Sequence, residues 1–183
     1  MKINYGCGYD KKEGWINIDT NKECKPDILI NKNNLKLPFE DETIEYILSR
    51  YCLEHINKEN IQELIREFHR ILINKGILEL YLPHYTGTHI KYLDHKTMFG
   101  INSFYGNDIR CKNPTNKNEP KFKIKQNLTL FGCESYQSKN PFIVRGVNKL
   151  SFLFNVTETW QKICEKYLWG GFEEIHYIME KIK

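Results

Sequence analysis

The sequence predicts an α/β fold with a mixed β-sheet whose first strands are short and parallel. A glycine turn at residues 6–8 follows the apolar–polar run at 2–5, and such a turn at the end of a first parallel strand lets backbone N–H groups approach a ligand. The amphipathic segment 57–73 predicts a helix. The chain ends in an alternating segment, 172–182, that is typical of an antiparallel strand.

Length and composition are those of one globular domain. The 183 residues suffice for one substantial core, so we predict a single domain over 1–183. The formal net charge of +4 is spread along the chain without a basic run, and nucleic acid is therefore not indicated. No signal peptide precedes the first strand, no apolar stretch approaches the roughly 18 residues of a membrane span, and six scattered cysteines form no C-x-x-C pair. These features favour reduced thiols and a cytoplasmic location.

The glycine turn and the strand after it describe half of a nucleoside site. The turn contains Gly6, Cys7 and Gly8, and a second strand is predicted at 15–18 that ends on Asp19. An acid at the end of a second strand lies where a ribose offers its two hydroxyls. The glycines alone are weak evidence for a nucleoside site, because a tight connection between two strands would explain them about as well.

The spacing does not fit a dinucleotide. The third glycine of the G-x-G-x-x-G fingerprint would fall at Lys11, and Asp19 follows Gly8 by only eleven residues. The connection 20–26 is equally short, and a third strand is predicted at 27–30. The first three strands therefore lack full crossover helices. Either the C-terminal helices or a second subunit, as in a homodimer, must cover one face of the sheet.

The middle of the chain predicts a strand, a helix and a strand. The fourth strand is predicted at 44–49, and helix 57–73 follows it with apolar residues at three- and four-residue spacings. The helix is expected to stop at 74–76, where Gly76 supplies a left-handed cap. A buried strand at 77–82 then follows.

Regular patterning is lost over residues 84–120. We interpret this segment as a substrate-binding insert, because a long irregular stretch in a small domain is uncommon unless it is functional, and its aromatic content argues against disorder. Residues 122–131 alternate as a strand, and 151–168 predict one or two helices. One helical stripe there is expected to pack into the core: Trp160, Ile163, Cys164 and Tyr167.

Three stretches, 4–19, 37–56 and 63–84, resemble class I S-adenosylmethionine-dependent methyltransferases. The likeness is greatest to the small branch in which the first helix is reduced to a loop. It covers residues 1–84 strongly and the final strand weakly. The resemblance implies a Rossmann-like sandwich with a mixed seven-stranded sheet in the order 3-2-1-4-5-7-6, with reduced helices around the first strands. It also implies S-adenosylmethionine as cofactor and says little about the substrate.

The resemblance implies roles for several residues besides the glycine turn and Asp19. In the family an acid after the third strand bonds the adenine amino group; this chain has Asn31 there, or Asn33 in a second alignment, and an amide oxygen can accept the same bond. Backbone groups near Ser49 would face the methionine portion. His55 is a further cofactor candidate, although it serves equally well as a helix-packing residue.

The insert also carries candidates for proton transfer. A hydroxyl acceptor requires a base, and some relatives carry an acid and a histidine in this region, similar in type to Asp94 and His95. We predict His95 as the base, with His84 and Asp94 as further catalytic candidates; ordinary loop histidines are the simpler alternative. A metal site of His84, His89, Asp94 and His95 matches no known ligand spacing, so no metal ion is expected.

The leading functional hypothesis is O-methylation of a small molecule or carbohydrate. The resemblance associates proteins of this small type with methylation of sugars or sugar nucleotides in cell-surface polysaccharide biosynthesis. A protein or nucleic-acid methyltransferase is the second class, and it is disfavoured because no Asn-Pro-Pro-Tyr type of motif follows the fourth strand. An inactive cofactor-binding partner subunit is the third.

Overall fold

The computed structural model describes residues 1–31, 34–109, 111, 119–130, 151–167 and 172–183. Within them the strands are β1 (Lys2–Tyr5), β2 (Ile16–Asp19), β3 (Ile28–Leu29), β4 (Ile44–Arg50), β5 (Leu72–Pro83), β6 (Phe122–Leu130) and β7 (Glu174–Lys181). The α-helices are α1 (Lys58–Ile71) and α2 (Glu158–Tyr167). The strands form one sheet in the order β3-β2-β1-β4-β5-β7-β6, which confirms the order that the family resemblance implied.

The first five strands are parallel, and β7 runs antiparallel between β5 and β6. Strand β1 lies between β2 and β4, so it is buried near the middle of the sheet. Short connections join β1 to β2 and β2 to β3, the second with a single 3-10 turn at Lys22–Cys24. The prediction that these strands lack full crossover helices is therefore confirmed. All carboxyl ends of the parallel strands consequently meet at one edge of the sheet.

Helix α1 packs one apolar face on the sheet. Its buried side chains share one stripe: Ile61, Leu64, Ile65, Phe68 and Ile71. The ring of Phe68 meets the ring of Tyr5 edge to face, with centroids 5.0 Å apart. This contact holds the helix against the end of β1. No helix among the described residues has the length and apolar character that crossing a membrane requires.

The end of α1 differs from the prediction. The helix stops at Ile71, and Leu72 already has an extended backbone (φ −66°, ψ 138°) as the first residue of β5. The positive φ predicted for Gly76 belongs instead to Lys75, at 64°. Gly76 is required for another reason, since a Cβ there would lie 2.9 Å from the carbonyl oxygen of Ile73. The glycine after the helix therefore marks an irregularity in the pairing of β5 with β4 and not a helix cap.

The stripe on α2 also differs from the prediction. Trp160, Ile163 and Tyr167 are 46%, 42% and 66% exposed, and only Cys164 is buried. The helix is anchored by the buried Gln161, whose side-chain N–H groups donate to the carbonyl of Asn127 and to Asn155 Oδ1. A polar contact, rather than the aromatic stripe, therefore fixes α2 on the sheet.

The described part of the 84–120 insert belongs partly to the core. His84 forms an isolated bridge with Phe99, and Phe99, Ile101 and Phe104 are almost fully buried. Tyr177 of β7 donates its hydroxyl to the carbonyl of Gly100 at 2.5 Å. The insert is thus tied to the sheet at residues 99–104, and the segment before it, 85–98, runs toward the carboxyl edge of the strands.

Candidate active site

A cavity of about 540 Å³ opens where the parallel strands end. Residues directly following β1, β2 and β4 line it, including Gly6, Asp19, Tyr51 and Cys52. Its volume lies within the range of about 300–1,000 Å³ that is usual for small-molecule sites. The carboxyl edge of a parallel sheet is where open α/β folds bind their ligands, so this cavity is the candidate site.

The two glycines of the turn serve different purposes. Gly6 has φ 68°, and a Cβ there would lie 2.6 Å from the Cβ of Cys52 and closer still to its Sγ. Gly8 has φ 48°, but a Cβ on it would meet nothing within 4 Å. Gly6 is therefore required by packing, whereas Gly8 borders open space in the cavity wall. That open space is a cradle that a ligand can enter.

Cys7 lies behind the cavity rather than in its lining. Its side chain is 4% exposed, and burial together with nearby Asp19 raises the pKa of its thiol to about 11. Its backbone N–H, like that of Gly6, donates to the carbonyl of Ile18. These bonds fix the turn against β2, so Cys7 shapes the turn from beneath.

Asp19 stands in the cavity wall at the end of β2. Its Oδ2 accepts the backbone N–H of Gly8 at 2.7 Å, and its Oδ1 accepts that of Asn21 at 2.8 Å. The two bonds hold the carboxylate in one orientation. Each carboxylate oxygen keeps further acceptor capacity, which suits it to a pair of neighbouring hydroxyls.

The other predicted cofactor residues are placed differently. Asn31 lines the cavity together with Ile30 and Leu35, while Asn33 lies outside the described residues. Ser49 is fully buried in β4 and does not line the cavity. The strand continues one residue beyond the predicted end, and the next two residues, Tyr51 and Cys52, reach the cavity instead.

Tyr51 was not singled out from the sequence. Its φ of 46° is unusual for a non-glycine residue, and such backbone conformations cluster at functional sites. Its backbone N–H donates to the carbonyl of Tyr81, and its hydroxyl donates to Glu174. The polar Asn57 and Asn60 at the start of α1 also line the cavity. Only their position after the fourth strand could have indicated these residues.

Residues from the insert reach the cavity beside His55. The backbone N–H groups of Lys96 and Thr97 both donate to the carbonyl of Glu54, at 2.7 and 3.2 Å, and Thr97 Oγ1 donates to the carbonyl of Ile56. These bonds fasten the insert to the loop after β4. Asp94 and Lys96 consequently line the cavity together with Gly6 and Gly8 of the glycine turn.

This fastening creates a cluster of four side chains, Glu54, His55, Asp94 and His95, called the carboxylate–histidine cluster below. His55 Nδ1 lies 3.3 Å from Asp94 Oδ2, and His55 Nε2 lies 4.0 Å from Glu54 Oε1. The rings of His55 and His95 meet edge to face with centroids 5.0 Å apart. His55 and Asp94 line the cavity, whereas Glu54 and His95 contact them without being among its lining residues.

Burial and charge set the protonation of this cluster. Glu54 is 1% exposed, and desolvation, with Asp94 nearby, raises its pKa to about 8 although its own backbone hydrogen bond acts in the opposite direction. Desolvation and the neighbouring His55 lower the pKa of His95. His95 is therefore mainly neutral at pH 7 and able to accept a proton or a metal ion.

His84 lies elsewhere. It is fully buried, with Nε2 3.0 Å from Glu165 Oε1 and Nδ1 2.8 Å from Thr86 Oγ1. It does not line the cavity. These contacts connect the end of β5 to helix α2 and give His84 a structural part in the fold.

Comparison with known proteins supports the family that the sequence resembles. Residues 5–80, from the end of β1 into β5, match the family model of a methyltransferase domain. This range contains the glycine turn, Asp19 and the loop after β4. This match and the sheet order together support a class I S-adenosylmethionine-dependent methyltransferase. Sequence comparison with curated proteins gave no match.

Solved structures share the fold of this methyltransferase. An S-adenosylmethionine-dependent methyltransferase from Archaeoglobus fulgidus has a TM-score of 0.60 at 15% identity, over 98% of this chain and 85% of that one. YcgJ from Bacillus subtilis has a TM-score of 0.56 at 16% sequence identity, over 100% of this chain and 92% of that one. Geranyl diphosphate C-methyltransferase from Streptomyces coelicolor A3(2) has a TM-score of 0.57 at 12% sequence identity, over 99% of this chain and 71% of that one. At these identities the likeness concerns the fold alone.

The open space at Gly8 generates a prediction with a matched control. Gly8→Val should abolish measurable S-adenosylmethionine binding, because the side chain would fill the cradle in the cavity wall. Gly14→Val is the control: Gly14 also has a positive φ, 74°, and also faces open space, but it does not line the cavity.

The backbone strain of about 1–2 kcal/mol should be similar in both variants. Thermal unfolding would check this equality, and calorimetry with the cofactor would measure binding. Equal cofactor affinity in the two variants would show that Gly8 is only a connector.

Proposed function

We propose that this methyltransferase transfers a methyl group to a hydroxyl of a small polar acceptor, with a sugar or sugar nucleotide as the leading class. One observation carries the proposal: the carboxylate–histidine cluster meets the cavity through His55 and Asp94, which line it together with the glycine turn. Transfer to oxygen requires removal of a proton. This cluster is the group of described residues at the cavity that is suited to that step.

The cavity offers separate surfaces for the parts of the cofactor. Asp19 would accept the two ribose hydroxyls, since its carboxylate is already oriented by Gly8 and Asn21. Ile30 and Leu35 supply apolar contacts for the adenine ring, and Asn31 lies beside them for its polar edge. The methionine portion would then lie along the glycine turn and the loop after β4.

Bound S-adenosylmethionine supplies an electrophilic methyl group, and its transfer breaks the carbon–sulfur bond, leaves the bonding pair on sulfur and joins carbon to the acceptor oxygen. The chain's own contribution is to position the acceptor and to take its proton. A neutral imidazole at His95 can serve in two ways: it can accept the proton directly, or it can bind a cation that acidifies the hydroxyl. Either way His95 acts on the acceptor and not on the cofactor.

The surface around the cluster supports a carbohydrate acceptor. Tyr92 is 51% exposed, and its ring meets the ring of His95 with centroids 5.5 Å apart. An exposed aromatic face beside polar groups suits a ligand that is apolar on one face and rich in hydroxyls at its edge. Structural relatives do not decide the acceptor, because one of them acts on geranyl diphosphate. The cytoplasmic location and the homodimer stay predictions.

Removal of the Asp19 carboxylate should weaken cofactor binding. Asp19→Ala is expected to reduce S-adenosylmethionine affinity by about tenfold or more, because each charge-assisted hydrogen bond contributes roughly 1.5–3 kcal/mol. Asp19→Asn keeps the shape and an oxygen acceptor for Gly8, so it should fold normally and lose affinity to a smaller extent. Isothermal calorimetry measures both. Unchanged affinity in a folded Asp19→Ala protein would refute the ribose assignment.

Substitution of His95 should affect turnover and leave cofactor binding intact. His95→Asn is expected to lower methyl transfer by about 10²–10⁴-fold, while the dissociation constant for S-adenosylmethionine barely changes. His89→Asn is the matched control, because His89 lies in the same insert but outside the cluster.

Formation of S-adenosylhomocysteine against a panel of sugars and sugar nucleotides provides the assay. A His95→Asn protein with parental turnover would remove this residue from the transfer step. Cofactor binding by the parent without turnover on any acceptor would instead favour the inactive partner subunit.

A further inference from the structure

We propose that Glu54, His55 and His95 form a binding site for a divalent transition-metal ion beside the methyltransferase cavity, which His55 lines. Sequence spacing predicted no metal site, because the histidines of the insert fit no pattern by themselves. The structure adds Glu54 and His55 from the loop after β4. The binding of the ion is independent of the reaction; its part in catalysis rests on the proposed function.

The donor atoms are close enough to share one ion. One ligand atom from each of Glu54, His55 and His95 lies within 4.8 Å of the other two. The His55 Nε2–Glu54 Oε1 distance is 4.0 Å. Ligands bound to one ion at about 2.0–2.2 Å lie roughly 3–3.5 Å apart, so small side-chain rotations would close the site.

Glu54 is the strongest indication of a cation-binding site. Its side chain is 1% exposed, and its Oε2 has no hydrogen-bond partner among the described residues. A buried carboxyl group is normally paired or coordinates a metal, because burial without a partner is costly. A cation beside Glu54 would satisfy this oxygen and explain why a carboxyl occupies a buried position next to two imidazoles.

A second contact orients His55 for binding. Its Nδ1 lies 3.3 Å from Asp94 Oδ2, which leaves Nε2 directed toward Glu54. Metal-binding histidines commonly donate their other ring N–H to a carboxylate, which fixes the tautomer and strengthens the ligand. Asp94 has this supporting position here. The backbone hydrogen bonds from Lys96 and Thr97 to the carbonyl of Glu54 hold the neighbouring backbone of the insert in position.

The donor set selects the class of ion. Two imidazoles and one carboxylate suit zinc, iron, cobalt or nickel, whereas magnesium and calcium prefer oxygen ligands alone. Three protein ligands leave a position for an oxygen of the acceptor. A hydroxyl bound to such an ion loses its proton near neutral pH, and a second hydroxyl on the neighbouring carbon could bind as well. The site therefore favours acceptors with vicinal hydroxyls. When the ion is bound, His95 is one of its ligands and not the base that takes the proton.

Cobalt(II) is the probe for this site, because its visible absorption distinguishes nitrogen and oxygen ligands from thiolates. We expect the chelator-treated protein to bind one Co²⁺ per chain without a thiolate charge-transfer band. Glu54→Gln and His95→Asn should each weaken binding by at least tenfold, and His89→Asn should leave it unchanged. Glu54→Gln keeps the side-chain shape; should it fail to fold, the partly exposed His95 provides the same comparison.

Two results would overturn the metal site: no stoichiometric Co²⁺ binding, or binding that survives both substitutions. Calorimetry with S-adenosylmethionine on the same protein separates a failure of the metal site from a failure of the proposed function. Cofactor binding and methyl transfer in a protein that binds no stoichiometric Co²⁺ would reject the metal site and leave the proposed function standing. Co²⁺ binding lost in the two variants, in a protein that methylates no hydroxyl, would support the metal site and reject O-methylation.

Discussion

The close approach of two loops determines the geometry of this site. The chain leaves β1 through Gly6 and leaves β4 through Cys52, and these two residues touch where a Cβ on Gly6 would overlap Cys52. The contact is possible because β1 and β4 are neighbours in the centre of the parallel sheet. The cavity lies at these two loops, and both Asp19 and His55 line it.

The second side of the cavity depends on backbone bonds over a long sequence separation. The carbonyl of Glu54 accepts two N–H groups from residues 96 and 97. This clamp brings His95 next to His55 and places Asp94 in the cavity wall. The insert is also secured at its other end, where Phe99 and Phe104 enter the core. Attachment at residues 96–97 and at 99–104 therefore fixes the insert beside the cavity.

The part of the site that the sequence predicts is the part formed by near neighbours. Gly8 and Asp19 are eleven residues apart and meet through one hydrogen bond, so glycine and acid at strand ends suffice to indicate them. The sheet order followed from family resemblance. The burial of Glu54 and its meeting with His95 could not be predicted, because they depend on the clamp between distant loops. Likewise, α2 is held by Gln161, a polar anchor that apolar periodicity does not reveal.

We expect this cavity to bind one S-adenosylmethionine. Isothermal calorimetry of the unmodified chain tests it most directly, with S-adenosylhomocysteine and NAD titrated under the same conditions. We expect one site per chain for S-adenosylmethionine and for S-adenosylhomocysteine, and no measurable binding of NAD, since the connection from Gly8 to Asp19 is too short for a dinucleotide fingerprint. Binding of NAD in preference to S-adenosylmethionine, or no binding of either, would contradict it.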